Sequence, residues 1–576
     1  MTAQIWVQIV LTFLIGFLIS IPTGRYLAYV VSGRKTWADP LFDRVDNFLY
    51  LLIGGRICSQ AMTWKAYTIH MLMTNLIMGV IIYLILVFQD YLPLNQLHFP
   101  GMEPMLAFNT AASFITNTDW QGYGGETSLS NFSQMTAITF PMFTSATTGF
   151  VVAMAFIRAF TVQDESDLGN FYRDLIRFTT RVLMPAVFVL ALLMIWQGSP
   201  QTLSAGVTAH TVPGGEQAIS LGPVAALETI KHMGTNGGGF FNANAAHPFE
   251  NPTPITNLVL LLLMIVLPSS IVLCFGEMIG SRRQGWVLYG VMGVMAIAFM
   301  TVAVAVEQAG TPVLKEAGIE TAAGGGQPGG NMEGKETRFG IAQSSLFAAV
   351  TTAFTTGSVN SMHESYTPLG GGVALMQMML QCVYGGKGVG FLNALVYGLI
   401  AVFVSGLMAG RTPEFLGKKI EKSEIILVSL TLLIHPLVIL LPTGISLIAP
   451  QGLASITGPG SIHGYSEVLY AFTSSAANNG SAFAGLNANT PWYNLGTGLV
   501  ILIGRYPPII FLMAVAGSVA RKPTSPITIG TLRTDTFQFG VVWLATILVV
   551  GALTFFPALV LGPIAEYFAM QSGLTF

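Results

Sequence analysis

The stretch Gly234-Thr235-Asn236-Gly237-Gly238-Gly239-Phe240 lies between two apolar segments of the chain. Its small side chains leave the backbone carbonyl and amide groups accessible. At membrane depth, exposed backbone is tolerated only where protein buries it or where it lines a watery cavity. A ring of such carbonyls can replace the water around a dehydrated cation. Because one segment cannot form a ring, the stretch predicts further segments of the same kind.

The composition is that of an integral membrane protein. Of the 576 residues, 52% are hydrophobic and only 9% are charged, whereas soluble domains carry about 25% charged residues. The net charge of −2 gives no electrostatic reason to expect a nucleic-acid partner.

Three other segments share the polar, small-residue composition of Thr235-Asn236-Gly237. They are Thr116-Asn117-Thr118, Thr355-Thr356-Gly357 and Asn478-Asn479-Gly480. The third residues of the four segments follow one another at intervals of 119, 120 and 123 residues. Intervals this regular favour a fourfold internal repeat over four unrelated loops that merely contain turn residues.

Apolar runs of about 20 residues mark membrane spans, and the chain has ten of them. The order of the apolar runs and polar segments along the chain predicts an all-α integral membrane protein. It would have four pseudo-symmetric span–pore helix–filter loop–span repeats and one extra helix at each end. The runs lie near residues 5–21, 67–89, 136–158, 182–197, 256–280, 286–306, 373–407, 424–449, 494–520 and 538–566. The shorter pore helices are predicted at about 104–115, 222–233, 341–354 and 465–475.

The repeats divide the chain into six predicted segments. Residues 1–66 hold the extra first span and a cytoplasmic loop, and residues 523–576 hold the last span. The four repeats occupy residues 67–160, 161–283, 284–410 and 411–522. Nineteen of the 25 lysines and arginines fall on one side of this topology and four on the other, which predicts that the N-terminus and all four polar segments face outward. The Gly-rich stretch between Glu316 and Glu336 is interpreted as a linker.

The four polar segments offer mainly neutral oxygens, from carbonyls and from threonine and asparagine side chains. Each pore helix would direct the partial negative charge of its C-terminus at its segment. Such sites suit a weakly hydrated monovalent cation, whereas carboxylate-rich sites suit calcium. Potassium is the first choice, and composition alone does not exclude sodium. Asp119 is the only acid directly beside a polar segment and is expected to face the outer mouth.

Two charged residues lie within the predicted spans. Arg505 is followed by Tyr506-Pro507-Pro508, where the helix is expected to kink or break, and an intramembrane charge is by default a functional hypothesis. The alternative is a structural arginine held by a salt bridge or by carbonyls. Lys387 stands in Gly385-Gly386-Lys387-Gly388, inside an apolar stretch too long for one straight span. A glycine break there would act as a gate, and the alternative is close helix packing.

Four stretches resemble the filter loops of the KdpA family, the potassium-binding A subunits of bacterial Kdp potassium-importing ATPases. The resemblance covers essentially the whole chain. The stretches are Thr116–Gln121 (TNTDWQ), Gly234–Asn244 (GTNGGGFFNAN), Thr355–Asn360 (TTGSVN) and Ser475–Gly480 (SAANNG).

The resemblance implies a fold similar to that of the superfamily of potassium transporters. It implies that Gly237 is the filter glycine of the second repeat and that Gln121 lies at the filter mouth. It also implies that Gly385–Gly388 resembles a gating loop and that Arg505 matches an arginine below the filter. The implied ligand is a potassium ion, with no organic cofactor. The implied partners are a P-type ATPase B subunit and small C and F subunits in the bacterial cytoplasmic membrane, and potassium would pass through a tunnel toward the B subunit.

The sequence itself agrees that the energy for transport comes from elsewhere. It contains neither an Asp-Lys-Thr-Gly phosphorylation motif nor a GxxxxGK[ST] loop. One alternative is a stand-alone potassium channel or ion-coupled symporter. Another is a secondary transporter for an organic solute, but that class is built from two inverted halves, whereas the spacing here is fourfold and parallel.

Overall fold

A computed structural model of the chain describes residues 3–163, 168–204, 206–320, 324, 329–526 and 531–574. Ten helices in these residues are long and apolar enough to cross a membrane, which confirms the predicted number and the helical membrane fold. In chain order, spans 1 to 10 are Ala3–Val31, Trp64–Val87, Asn131–Ala159, Phe171–Gln197, Pro254–Met278, Arg282–Ala309, Val389–Met408, Lys422–Ser446, Pro491–Ala520 and Phe537–Gln571.

Four shorter helices, pore helices 1 to 4, lie between the spans. They contain only 12, 10, 14 and 15 residues, so each is too short to cross the apolar part of a bilayer. Pore helix 1 begins where the Glu103 carboxylate accepts a hydrogen bond from the Leu106 N–H at 2.8 Å. The Ser461 hydroxyl caps pore helix 4 in the same way. Their bounds are Pro104–Ile115, Val224–Met233, Gly340–Ala353 and Ile462–Ala476.

Each pore helix stands between a more exposed and a more buried span. In the first repeat, 83% of the apolar part of span 3 is buried, against 22% for span 2. The second span is also the more buried one in the other repeats, at 72% against 39%, 61% against 56%, and 44% against 22%. The second spans therefore form an inner layer around the pore helices, and the first spans form an outer layer that faces lipid.

Two interruptions were predicted within spans, and the structure contains one of them. The apolar stretch 373–407 is divided into helix Pro368–Leu380 and span 7, which begins at Val389. Span 9, by contrast, continues as one helix from Pro491 to Ala520 with Pro507 and Pro508 inside it, so of the predicted kink or break the break is wrong. Neighbouring helices and local adjustment of the backbone let a membrane helix tolerate proline.

The remaining elements lie outside the ten spans. The loop predicted after span 1 contains a helix, Asp39–Ile53. Two small antiparallel hairpins were not predicted: Gly206–His210 pairs with Glu216–Ser220, and Glu414–Phe415 pairs with Lys418–Lys419. Residues 321–323 and 325–328 of the predicted linker lie outside the described residues. Further short helices are Arg56–Ser59, Gly125–Ser128, Pro312–Glu316 and Pro450–Leu453.

Candidate ion-binding site

The C-terminal ends of the four pore helices lead into loops with one shared backbone pattern. In each loop two residues with positive φ flank one residue without it. The pairs are Asn117 and Asp119 (65° and 53°), Thr235 and Gly237 (46° and 119°), Thr355 and Gly357 (51° and 84°), and Asn478 and Gly480 (52° and 98°). Such alternation turns successive carbonyl groups toward one side, as a ring of carbonyl ligands requires. We call these residues filter loops 1 to 4.

The shared pattern corrects the register of filter loop 1. The residue that caps each pore helix is Thr116, Gly234, Phe354 or Ala477. The N–H groups of Thr118, Asn236, Thr356 and Asn479 each bond the carbonyl five residues earlier. Asp119, rather than Thr118, is therefore the equivalent of Gly237, Gly357 and Gly480. The predicted alignment of Thr118 with Gly237 is one residue off, and Thr116 belongs to the end of its pore helix.

Three of the four contacts between neighbouring loops are made by glycine. A Cβ atom on Gly237 would overlap the Thr356 carbonyl oxygen. A Cβ atom on Gly357 would overlap the Asn479 carbonyl oxygen, and one on Gly480 would overlap that of Thr118. The backbones of loops 2, 3, 4 and 1 thus pack directly against one another in that order.

Loops 1 and 2 complete the ring through side chains. The Asn117 amide donates to the Thr235 carbonyl oxygen at 2.7 Å, and the Asn236 amide donates to Asn117 Oδ1 at 2.8 Å. Between the neighbouring loops 4 and 1, the Asn478 amide also donates to Thr118 Oγ1 at 2.9 Å. All four predicted polar segments therefore meet in one closed ring.

Several oxygens of the ring are buried without a hydrogen-bond donor among the residues that the structure describes. They are Thr235 Oγ1, Asn236 Oδ1, Thr356 Oγ1 and Asn478 Oδ1. Buried polar atoms are normally paired, and exceptions have a structural or functional reason. A cation bound in the ring would supply such a partner, because neutral oxygens can replace its hydration shell.

Asn244 also contacts the ring, and the sequence reasoning missed this role. Its amide donates to the Gly237 carbonyl oxygen at 2.8 Å, while its Oδ1 accepts from Lys231 Nζ at 2.9 Å and from Ser358 Oγ at 3.0 Å. Lys231 is fully buried and pairs with Glu250 at 2.7 Å and with Glu228. A lysine in a mostly apolar pore helix was the available signal for this support behind loop 2.

The two residues predicted at the filter mouth differ in position. Gln121 is half-buried, and its Oε1 accepts from the Gly239 N–H at 2.7 Å, so it joins loops 1 and 2. Asp119 is only 2% exposed, so the expectation that it opens to the outer mouth is wrong. Its positive φ turns the side chain toward loop 2, where Gly238 leaves the space for it.

The interruption before span 7 lies at the end of pore helix 3. The N–H groups of Gly385 and Gly386 donate to the carbonyls of Ala353 and Phe354 at 3.2 and 2.7 Å. Gly388 has a φ of 91°, and a Cβ atom there would lie 2.5 Å from the Gly149 carbonyl oxygen of span 3. The glycine-rich segment thus fills the space between filter loop 3 and the inner spans.

Two basic residues lie in or beside this segment. Lys387 and Arg505 are 2% and 7% exposed, and neither forms a salt bridge with any residue in the described ranges. Lys387 Nζ also lacks a hydrogen-bond partner there. Arg505 Nη2 lies 2.8 Å from the position of a Cβ atom on Gly149, which also abuts the Lys387 carbonyl oxygen. Within the described residues, the structure therefore gives no support to the alternative in which a salt bridge holds Arg505.

A cavity of about 40 Å³ lies beside Arg505, which is enough for water. Its lining includes the polar side chains of Gln381, Asn393 and His435, which the sequence reasoning did not single out. The Gln381 amide donates to the Ala477 carbonyl oxygen at the end of pore helix 4 at 2.6 Å. Polar side chains inside apolar stretches were the signal that would have identified them.

An ion-pair cluster holds the start of pore helix 4. The two ring nitrogens of His463 donate to Glu364 at 2.6 Å and to Glu566 at 2.8 Å. Burial opposes protonation of His463, but the two carboxylates outweigh it and raise its pKa to about 10. The imidazolium therefore joins the third repeat, pore helix 4 and the end of span 10.

These features define a membrane protein in which four re-entrant hairpins surround one polar ring. The potassium transporter TrkH from Vibrio parahaemolyticus has a similar fold, with a TM-score of 0.51 over 87% of this chain and 97% of that chain, at 13% sequence identity. A family model described as "Potassium-transporting ATPase A subunit" (KdpA) matches residues 10–568. The chain belongs to the KdpA family.

Relatives match over nearly the full length. A protein of Delftia acidovorans is 50% identical over 99% of both chains. A protein of Geobacillus kaustophilus is 49% identical over 99% of this chain and 100% of that one, and a protein of Alicyclobacillus acidocaldarius is 52% identical over 95% of both. All three are named "Potassium-transporting ATPase potassium-binding subunit".

Proposed function

We propose that this chain selects and translocates K⁺ as the potassium-binding subunit of an ATP-driven importer. The observation that carries the proposal is the closed ring of neutral oxygens at the C-terminal ends of four pore helices. The proposed filter consists of Asn117, Thr118, Asp119, Thr235, Asn236, Gly237, Thr355, Thr356, Gly357, Asn478, Asn479 and Gly480, with Thr116 at the end of pore helix 1 and Gln121 beside the ring.

The chemistry of the ring favours a monovalent cation. The pore helices direct four partial negative charges, each about half an elementary charge, toward one point. The ring residues offer carbonyl, hydroxyl and amide oxygens and a single carboxylate, whereas calcium sites use several carboxylates. Potassium loses its water more easily than sodium, and the relatives are named as potassium-binding.

The charge below the ring favours a subunit that depends on a partner over a stand-alone channel. Arg505 places a buried guanidinium near Gly149, where the backbone of Lys387 also lies, and this guanidinium repels a cation that moves straight toward the cytoplasm. We propose that Gly385, Gly386, Lys387 and Gly388 form the gate. The ion would leave sideways through the cavity beside Arg505.

The partners follow from the family. We propose that a P-type ATPase B subunit hydrolyses ATP and receives K⁺ from this chain, and that small C and F subunits complete the assembly. The complex would lie in the bacterial cytoplasmic membrane, with the N-terminus of this chain outside. No organic cofactor is required for this role.

Rubidium uptake tests the proposal in a bacterial host that lacks its own high-affinity potassium uptake. We expect uptake when the chain is produced with its partner subunits and none when it is produced alone. Gly237→Asp should abolish uptake or alter selectivity, because the side chain would intrude on Thr356. The control is Gly214→Asp, at a glycine with a φ of 89° and no atom within 4 Å of an added Cβ.

The two possible failures have different meanings. Robust uptake by the chain alone would favour the stand-alone channel or symporter. Unchanged uptake and selectivity in Gly237→Asp would contradict the assignment of the ring as the filter.

A further inference from the structure

Asp119 stands in filter loop 1 where the other three loops have glycine. The equivalence rests on the pore-helix caps, on the hydrogen bonds of the preceding residues and on the positive φ of 53°. Glycine adopts such backbone freely, whereas any other residue pays for it. A non-glycine residue held in this conformation at a candidate site is a reason to look for a function.

The surroundings of Asp119 compensate its charge only in part. The side chain is 2% exposed, and its Cβ lies 3.1 Å from the position of a Cβ on Gly238. No residue in the described ranges meets hydrogen-bond geometry with either carboxylate oxygen, although the Asn236 side chain lies beside the carboxylate and favours its charged form. The positive charge that acts on Asp119 is that of Lys231, which is already paired with Glu228 and Glu250.

A buried carboxylate without a partner is costly, so it must either take up a proton or bind a cation. Two features favour the cation. Asp119 is the only acid among the twelve residues of the ring, and it adjoins loop 2, whose Asn236 Oδ1 and Thr235 Oγ1 also lack donors. Unpaired carboxylate, amide and hydroxyl oxygens at the contact between two loops form a set of ligands for a cation.

We infer that the Asp119 carboxylate is a ligand for the transported alkali cation, at the contact between filter loops 1 and 2. This inference rests on the proposed function and makes it more specific. Three quadrants of the ring supply only neutral oxygens, and the fourth adds one full negative charge. One charge strengthens the binding of a monovalent ion without creating the carboxylate cluster that calcium prefers. The ring is therefore suited to uptake from dilute potassium.

The test compares Asp119→Asn with the wild type in the complete complex. Asparagine keeps the shape of the side chain and removes its charge. Rubidium uptake should show a KM raised about tenfold or more, as expected for the loss of one charge-assisted contact, with the maximal rate changed less than about twofold. Asp90→Asn, at an exposed acid beyond the outer end of span 2, is the control for long-range attraction, and its KM should not change.

Ionic strength separates a ligand from a surface charge. Added N-methylglucamine chloride screens exposed charges but screens buried contacts much less. The difference in KM between Asp119→Asn and the wild type should persist in high salt. A difference that disappears in high salt would overturn the inference, and so would an unchanged KM in low salt.

Asp119→Gly guards against a failure to fold, because glycine relieves the backbone at this position. Its KM should rise at least as much as that of Asp119→Asn, and an unchanged KM would also overturn the inference. Gly237→Asp distinguishes a failure of the inference about Asp119 from a failure of the filter assignment. If only the role of Asp119 is wrong, Gly237→Asp still disrupts uptake while Asp119→Asn does not. If the filter assignment is wrong, neither variant affects affinity or selectivity.

Discussion

Alanine at Gly357 should weaken potassium binding strongly, whereas alanine at Gly460 should not. The two glycines have nearly the same backbone, with φ of 84° and 83°. Each substitution therefore has a similar conformational free-energy cost in the backbone, of about 1–2 kcal/mol. The positions differ in their surroundings. A Cβ on Gly357 would overlap the Asn479 carbonyl oxygen, whereas a Cβ on Gly460 would meet nothing within 4 Å.

The overlap sets the size of the effect. To restore an ordinary contact of 3.4 Å, the Asn479 carbonyl must move by about 1.5 Å. A displacement of this size at a binding site costs about 100-fold, so the KM for rubidium uptake by the complete complex should rise by about that factor in Gly357→Ala. In Gly460→Ala it should stay within about twofold. Co-purification with the partner subunits checks that both variants assemble.

Gly460→Ala is the control for the backbone cost of the substitution. If both variants assemble and their KM values agree, the Gly357–Asn479 contact does not shape the binding site. The reasoning from the closed ring would then be refuted, because the ring requires that its carbonyl positions matter.

Two further predictions concern charged groups outside the ring. Arg505→Ala should change the rate of transport while assembly and thermal stability are retained, as measured by uptake and by thermal melting; a loss of protein yield alone would show that Arg505 is structural. His463→Gln should lower the melting temperature at pH 6. The ion pairs of His463 contribute fully below its ordinary pKa of about 6.5, where they are worth a few kcal/mol, and this contribution is lost as the pH rises toward the folded-state pKa of about 10. The melting temperatures of the variant and the wild type should therefore converge near pH 10, and an equal difference at both pH values would contradict the ion-pair account.

Much of the fold was predictable because it depends on local patterns. Pore helix 1 was expected at about 104–115 and is Pro104–Ile115, since an acid cap and a proline mark its start and polar residues mark its end. The near-equal intervals between the polar segments predicted that the four loops meet. Both signals lie in the order of residues along the chain.

The register of filter loop 1 could not be read from composition. Loops 2 to 4 can be aligned by their glycines, but loop 1 has Asp119 at that position, so the sequence offers no matching residue. Only the backbone shows the equivalence, through the positive φ of Asp119 and the cap at Thr116. The inference about the charge of the ring therefore depended on the structure.

Contacts between distant residues were also beyond the sequence. Asn244 supports Gly237 only because loop 2 folds back on itself. Gln381 caps pore helix 4 across 96 residues of chain. The continuity of span 9 through Pro507 and Pro508 shows the same limit, since packing against neighbouring helices overrode the local tendency of proline to break a helix.

The four loops are expected to bind one dehydrated cation on a shared axis. Crystals of the complete complex grown in rubidium and measured at the rubidium absorption edge would test this arrangement. We expect an anomalous peak inside the ring, enclosed by the backbone oxygens of Thr118, Thr356 and Asn479 and by loop 2. A ring without a peak, in crystals that show ordered rubidium elsewhere in this chain, would contradict it.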